Sequence, residues 1–111
     1  MDHRRSLLRE LLEFSRPLPE IAEGLAAHNW DVSDPLVALA EADVCRVLTR
    51  YLAGELSATH VELWANAVEC RDDIEYNPDT TLGGALHELA NPLLTCPLTR
   101  RSAATLATAL G

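Results

Sequence analysis

Residues 44–77 constrain the fold of this chain more than any other segment. Apolar side chains recur at three- and four-residue spacing on both sides of Gly54, a pattern typical of two amphipathic helices. Gly54 stands where a left-handed helix C-cap is expected. Because the connection around it is short, the two helices are predicted to be antiparallel neighbours. The sequence therefore predicts a central helical hairpin over about residues 41–70.

The second helix of this hairpin has a clear N-terminal signature. Ser57 is a favourable N-cap, and Leu56 and Val61 have the spacing of a hydrophobic staple around it. The apolar face of the helix is predicted to consist of Val61, Trp64, Ala65 and Val68, with Glu62, Asn66 and Glu69 facing away.

Four more helices are predicted from apolar spacing, capping residues and prolines. They cover about residues 2–14, 20–28, 80–90 and 99–110, with Asp2, Thr80 or Thr81, and Thr99 as caps. The segment 36–39 has two interpretations. Asp34 and Pro35 could begin a helix there, or an extended Leu-Val-Ala-Leu could lead into a helix at Glu41.

Length and composition agree with these elements. A chain of 111 residues is typical of one domain, and its Leu- and Ala-rich, aromatic-poor composition favours helices. We therefore predict a single all-α domain over residues 1–111, folded as one compact bundle of five or six short helices with the central antiparallel hairpin.

Charge is distributed unevenly along the chain. Residues 17–96 hold fourteen acidic side chains and three arginines, whereas the whole chain has a formal net charge of −8. Such an acidic body repels phosphates, so nucleic acid is not an expected partner. The charge favours a basic protein surface instead.

The sharpest polar feature is the acidic segment, residues 69–75. We predict Glu69, Asp72, Asp73 and Glu75 as the charges that dock a basic protein partner. The alternative is a solvated helix end with Arg71 pairing locally. Binding of a divalent cation is a weaker interpretation, because the spacing of an EF-hand is missing.

Trp30 lies among turn-forming residues and is the other candidate for partner binding. It is predicted either to cover the core or to serve as an aromatic anchor for a partner.

Few residues suggest chemistry. Cys45, Cys70 and Cys96 are widely spaced with no CxxC pair, which favours free, buried thiols. The four histidines are too dispersed to suggest a metal site. No catalytic, cofactor-binding or metal-binding residue is therefore assigned, and no cofactor is expected. A small cysteine- or metal-dependent enzyme remains the alternative hypothesis.

The cellular location is predicted from the charges in the N-terminal segment and from the length of the apolar stretches. The Leu-rich segment after Arg5 contains Arg9, Glu10 and Glu13, unlike the apolar core of a signal peptide. No stretch is long and apolar enough for a membrane span. We expect a cytoplasmic protein without a membrane partner. The absence of lysine is typical of a GC-rich coding sequence and suggests a bacterium.

Several short motifs stand out along the chain: Trp30, Leu36-Val37, residues 51–57, Trp64-Ala65-Asn66, residues 69–74 and residues 89–92. With these motifs the chain resembles a family of small bacterial helical proteins with no assigned function, which implies a helical fold. The segment Leu52-Ala53-Gly54-Glu55-Leu56-Ser57-Ala58, followed by an acidic helical pair, is similar in addition to immunity proteins that neutralise colicin-type toxins. This second resemblance implies binding to a toxin.

Together these features predict a non-enzymatic acidic module for protein–protein interaction, with a bacterial immunity protein as its most concrete form. A structural subunit of a larger assembly is a further alternative, and a homo-oligomer is left open.

Overall fold

The computed structural model describes residues 3–26, 37–69, 71, 74–95 and 97–110. Within them, six helices and one small sheet form an all-α bundle, as predicted. The elements are α1 (His3–Glu13), α2 (Leu18–Ala26), β1 (Val37–Ala38), α3 (Glu41–Leu52), α4 (Ala58–Glu69), β2 (Ile74–Glu75), α5 (Thr81–Ala90) and α6 (Arg100–Leu110).

The connection between α3 and α4 forms as the capping residues predict. Gly54 has a φ of +85°, the left-handed conformation that glycine adopts without strain. The Ser57 hydroxyl accepts a hydrogen bond from the His60 N–H at 3.1 Å, and the Ser57 N–H donates back to His60 Nδ1 at 3.1 Å. Leu56 and Val61 are both buried. Two N-terminal donors of α4 are thus satisfied reciprocally.

The two helices of the hairpin bury their apolar faces chiefly against later helices. The most extensive contacts of α3 are with α6, and those of α4 are with α5. The buried face of α4 is the predicted one, and it contains Trp64 with no exposed surface. Trp64 Nε1 also donates to the carbonyl oxygen of Leu11 in α1 at 2.7 Å. This indole therefore connects the N-terminal helix to the centre of the core.

The end of α1 is held in an unusual conformation. Phe14 has a φ of +50°, and the Ser15 N–H donates to the Glu10 carbonyl at 3.2 Å, so the helix ends in a Schellman-type turn. Arg50 of α3 supports this turn. Its Nη1 donates to the Phe14 carbonyl at 2.8 Å, and its guanidinium lies 5.4 Å from the centre of the Phe14 ring.

The small parallel sheet was not predicted. Val37 pairs with Ile74 and Ala38 with Glu75, and the Leu39 N–H donates to the Glu75 carbonyl at 2.9 Å. For the described part of segment 36–39, the extended interpretation is confirmed, and α3 begins at Glu41. Leu36, Asp34 and Pro35 lie outside the described residues. A strand of two residues is too short to show a periodicity, and the paired residues are far apart in the sequence. Their pairing could therefore not be predicted from the sequence.

The caps of the last two helices are confirmed. The Thr80 hydroxyl accepts from the Gly83 N–H at 3.2 Å, which selects Thr80 over Thr81 as the cap of α5. The Thr99 hydroxyl accepts from the Ser102 N–H at 3.1 Å. At the other end of the chain, α2 begins two residues before the predicted Glu20, and the proposed cap Asp2 lies outside the described residues.

Candidate functional site

An open cleft with two acidic side chains lies where the small sheet meets the helices. It has a volume of about 530 Å³, and its lining includes Glu41 at the start of α3 and Glu75 in β2. Tyr76, Asn77 and residues of the first turn of α5 complete much of its wall. We call it the acidic cleft, because its described lining contains no basic residue.

The pairing of β2 with β1 determines where Glu75 points. Successive side chains of a strand lie on opposite faces, and Ile74 is buried in the core. The neighbouring Glu75 is therefore exposed. This two-residue alternation orients Glu75 toward the acidic cleft.

Glu41 is placed by the N-terminus of α3. Its neighbour Asp43 is buried, accepts a hydrogen bond from the Ala40 N–H at 2.9 Å and pairs with Arg46 at 3.2 Å. Asp43 thus satisfies the helix end, which leaves the exposed Glu41 carboxylate on the wall of the cleft. Within the part of the chain that the structure describes, neither Glu41 nor Glu75 takes part in an ion pair.

Glu69, another predicted docking residue, has a different environment. It is the last residue of α4 and is partly buried. One carboxylate oxygen lies 3.2 Å from His87 Nδ1, and the other accepts from Asn91 Nδ2 at 3.5 Å. Its contacts tie the end of α4 to the end of α5.

Glu69 and Glu75 do not form one patch. Glu69 contacts the C-terminal end of α5, whereas the cleft around Glu75 includes Thr80 and Thr81 at its N-terminal end. At 1.5 Å per residue, the two ends of this helix are roughly 13–15 Å apart. The chain leaves α4 after Glu69, and Glu75 lies in β2. The alternative prediction of a solvated helix end therefore does not describe Glu75.

Three other predicted docking residues lie outside the described part of the chain: Asp72, Asp73 and Trp30. Their roles stay predictions. Glu41 was not predicted as a site residue, because its acidic side chain was explained by the positive end of α3. Nothing in the local sequence places it beside Glu75.

The residues considered for enzymatic chemistry have structural contacts. Cys45 is a free, partly buried thiol, 4.0 Å from the carbonyl oxygen of Ala107. His60 caps α4, and His87 pairs with Glu69. Among the residues that the structure describes, no three His, Cys, Asp or Glu side chains cluster as metal ligands would. Cys70 and Cys96 are not among the described residues.

None of the helices in the described ranges combines the length and the apolar character needed to cross a bilayer. Comparison of the chain with protein-family models, with curated proteins and with solved structures gave no match.

Proposed function

We propose that this protein is an acidic helical module that binds a basic protein partner, with a toxin-neutralising immunity protein as its most concrete form. The observation that carries the proposal is the acidic cleft, where Glu41 and Glu75 line one concave surface without an ion-pair partner among the described residues. A guanidinium or ammonium group entering this cleft would meet carboxylate acceptors and, among the described lining residues, no competing basic side chain.

The contrast with other carboxylates supports this assignment. Glu10 pairs with Arg16 at 3.0 Å, Glu55 pairs with Arg50 at 3.2 Å, and Asp43 caps α3. Those three groups already have partners inside the molecule. Glu41 and Glu75 have no such partner among the described residues. Unlike Glu13 and Glu23, which also have no ion pair there, they line one concave surface together.

The overall charge acts in the same direction over longer distances. Residues 17–96 carry fourteen acids and three arginines, so the field around the body attracts a basic surface. Such complementarity raises the rate of association and weakens as salt is added. The predicted docking charges Asp72 and Asp73 would add to this field.

Removing the charges of the acidic cleft tests the proposal. In E41Q/E75Q we expect association with the partner to slow on the order of tenfold at low ionic strength, with a shallower salt dependence. The partner is first captured from a lysate of the native cell on the immobilised protein, and is then identified and purified. The association rate is measured by stopped flow at several salt concentrations.

The matched control is E13Q/E23Q, which removes two exposed carboxylates that do not line the cleft. It changes the net charge equally, so the general field is weakened to the same extent. Equal association rates for the two double variants would remove the acidic cleft from the proposal. If the protein is a toxin-neutralising immunity protein, the captured partner must in addition be toxic when expressed alone and harmless when co-expressed with this protein.

A second candidate, a subunit of a larger assembly, is favoured by two exposed leucines. Leu93 is 98% exposed and Leu94 is 80% exposed. The turn that carries them is held by Thr95, whose hydroxyl shares its one proton between the carbonyl oxygens of Asn91 at 2.8 Å and Glu88 at 3.1 Å. Two large apolar side chains held in solvent by hydrogen bonds are typical of a contact surface.

If these leucines mediate self-association, the wild-type chain will have a multiple of its 12.1 kDa mass in solution. The variant L93Q/L94Q will then have the monomer mass. Light scattering after gel filtration measures both masses. A monomeric wild type at high protein concentration would contradict a homo-oligomer.

A further inference from the structure

A second concave surface has the opposite chemistry to the acidic cleft. It lies between residues 14–19, which connect α1 to α2, and the beginning of α4, and it has a volume of about 510 Å³. We call it the apolar groove. Its wall is mostly apolar and includes Phe14, Leu18, Leu56 and Leu63. Leu63 is 52% exposed, although it is a large apolar side chain on a helix.

Among the described residues that line the apolar groove, the titratable side chains are all basic. They are Arg16, Arg50 and His60, and no acidic side chain belongs to this described lining. This is a local exception in a chain with a net charge of −8. A ligand for this surface should therefore have an apolar body and an acidic group.

The hydrogen bonds of His60 determine what it offers to a ligand. Its Nδ1 accepts from the Ser57 N–H at 3.1 Å, so in the neutral ring the proton is on Nε2. The ring thus has one remaining N–H, which is a donor. Together with two guanidinium groups, which are donors only, it makes a set of polar groups suited to an acceptor such as a carboxylate.

The existing partners of the two arginines differ in strength. Arg50 is held by the Phe14 carbonyl at 2.8 Å, by Glu55 at 3.2 Å and by the Phe14 ring. Arg16 pairs with Glu10 at 3.0 Å and Glu20 at 3.9 Å, and its side chain is 42% exposed. Exposed ion pairs contribute little free energy, so Arg16 can exchange its partner for a ligand carboxylate.

The wall of the apolar groove is held in place by contacts within the chain. Phe14 is a buried residue with positive φ, a conformation that only surrounding contacts can maintain. Arg50 and the Schellman-type turn supply those contacts. A volume of about 510 Å³ is in the range of sites for small molecules, which are mostly apolar with a few converging polar groups.

From this chemistry we infer that the apolar groove binds a small apolar carboxylate, such as a medium-chain aliphatic acid. Its hydrocarbon part lies against Leu63 and Phe14, and its carboxylate accepts from Arg16 and from the His60 Nε2–H. This inference is independent of the proposed protein partner, because it concerns a different surface.

Calorimetric titration with decanoate, below its micelle-forming concentration, tests the inference. We expect saturable binding of one decanoate per chain in the wild type. The variant L63Q should bind at least fivefold more weakly. Its control is A104Q, which places glutamine at an exposed position of α6 outside the groove and should keep the wild-type affinity. Thermal unfolding followed by circular dichroism verifies that both variants are folded.

A second comparison tests how much the carboxylate of the ligand contributes to binding. Arg16→Gln should weaken decanoate at least threefold and leave the affinity for decan-1-ol unchanged. Equal affinities of the wild type for decanoate and decan-1-ol would overturn the role of the basic side chains. Unsaturable binding, or equal affinities in L63Q and A104Q, would overturn the site. Dimerisation of the wild type that L63Q abolishes would assign the groove to a second copy of the chain and overturn the small ligand.

Discussion

Replacing Trp64 with alanine is expected to lower the free energy of unfolding by about 3–5 kcal/mol. The indole has no exposed surface, so its removal leaves a cavity at the centre of the bundle. The substitution also removes the donor that the Leu11 carbonyl receives at 2.7 Å. Chemical denaturation of the wild type and W64A, followed by circular dichroism, measures the difference.

The variant W64F separates packing from hydrogen bonding. Phenylalanine keeps much of the aromatic volume but has no N–H. The Leu11 carbonyl still accepts from the Phe14 N–H at 3.1 Å, so losing the indole bond is expected to cost about 0.5–1.5 kcal/mol in addition to any loss of packing. A loss below about 1 kcal/mol in W64A would contradict the central position of this side chain.

The second large effect is expected at Gly83, in the first turn of α5. A Cβ atom there would lie 2.4 Å from the Asn77 carbonyl oxygen and 2.5 Å from Pro78 Cα. Both atoms belong to the backbone and cannot rotate away. The G83A variant should therefore be destabilised at the upper end of the range for overpacking, about 1–3 kcal/mol.

The adjacent Gly84 is a matched control for this prediction. A Cβ atom there meets nothing within 4 Å, and the residue is exposed on the same helix. Because alanine favours the helix over glycine, G84A should raise the free energy of unfolding by about 0.5–1 kcal/mol. Opposite signs in G83A and G84A, measured by chemical denaturation, would verify the close approach of α5 to residues 77–78. A stabilised G83A would contradict it.

The local elements of this fold could be predicted from the sequence because their signals are local. Gly54 ends α3, Ser57 begins α4, and Thr80 and Thr99 cap the last two helices, each through atoms a few residues away. The apolar face of α4 also follows from its own spacing. Gly83 shows the limit of such reasoning. Its sequence context suggests only a weakened first turn, whereas the fold requires glycine for contact with the preceding turn.

Of the two carboxylates in the acidic cleft, only Glu75 is among the docking charges predicted from the sequence, and its docking role stays a prediction. Glu75 was recognised as a candidate docking charge, but it was grouped with Glu69, which instead contacts His87 and Asn91. Glu41, its actual neighbour on the cleft wall, was assigned only to the end of a helix. The pairing of β1 with β2 brings these two carboxylates to one surface, and it joins residues 37 positions apart.

The sequence by itself determined the all-α class, a bundle of five or six helices and several of the helix caps, because spacing and capping act within a few residues. Only the tertiary structure decided which helices pack together, that Val37–Ala38 and Ile74–Glu75 form a ladder, and which charged residues share a surface. These depend on contacts between distant segments, where the burial of whole faces outweighs local preference. The apolar groove depends on the same contacts, since Phe14 follows α1, Leu63 lies in α4, and the two line one surface only in the folded chain.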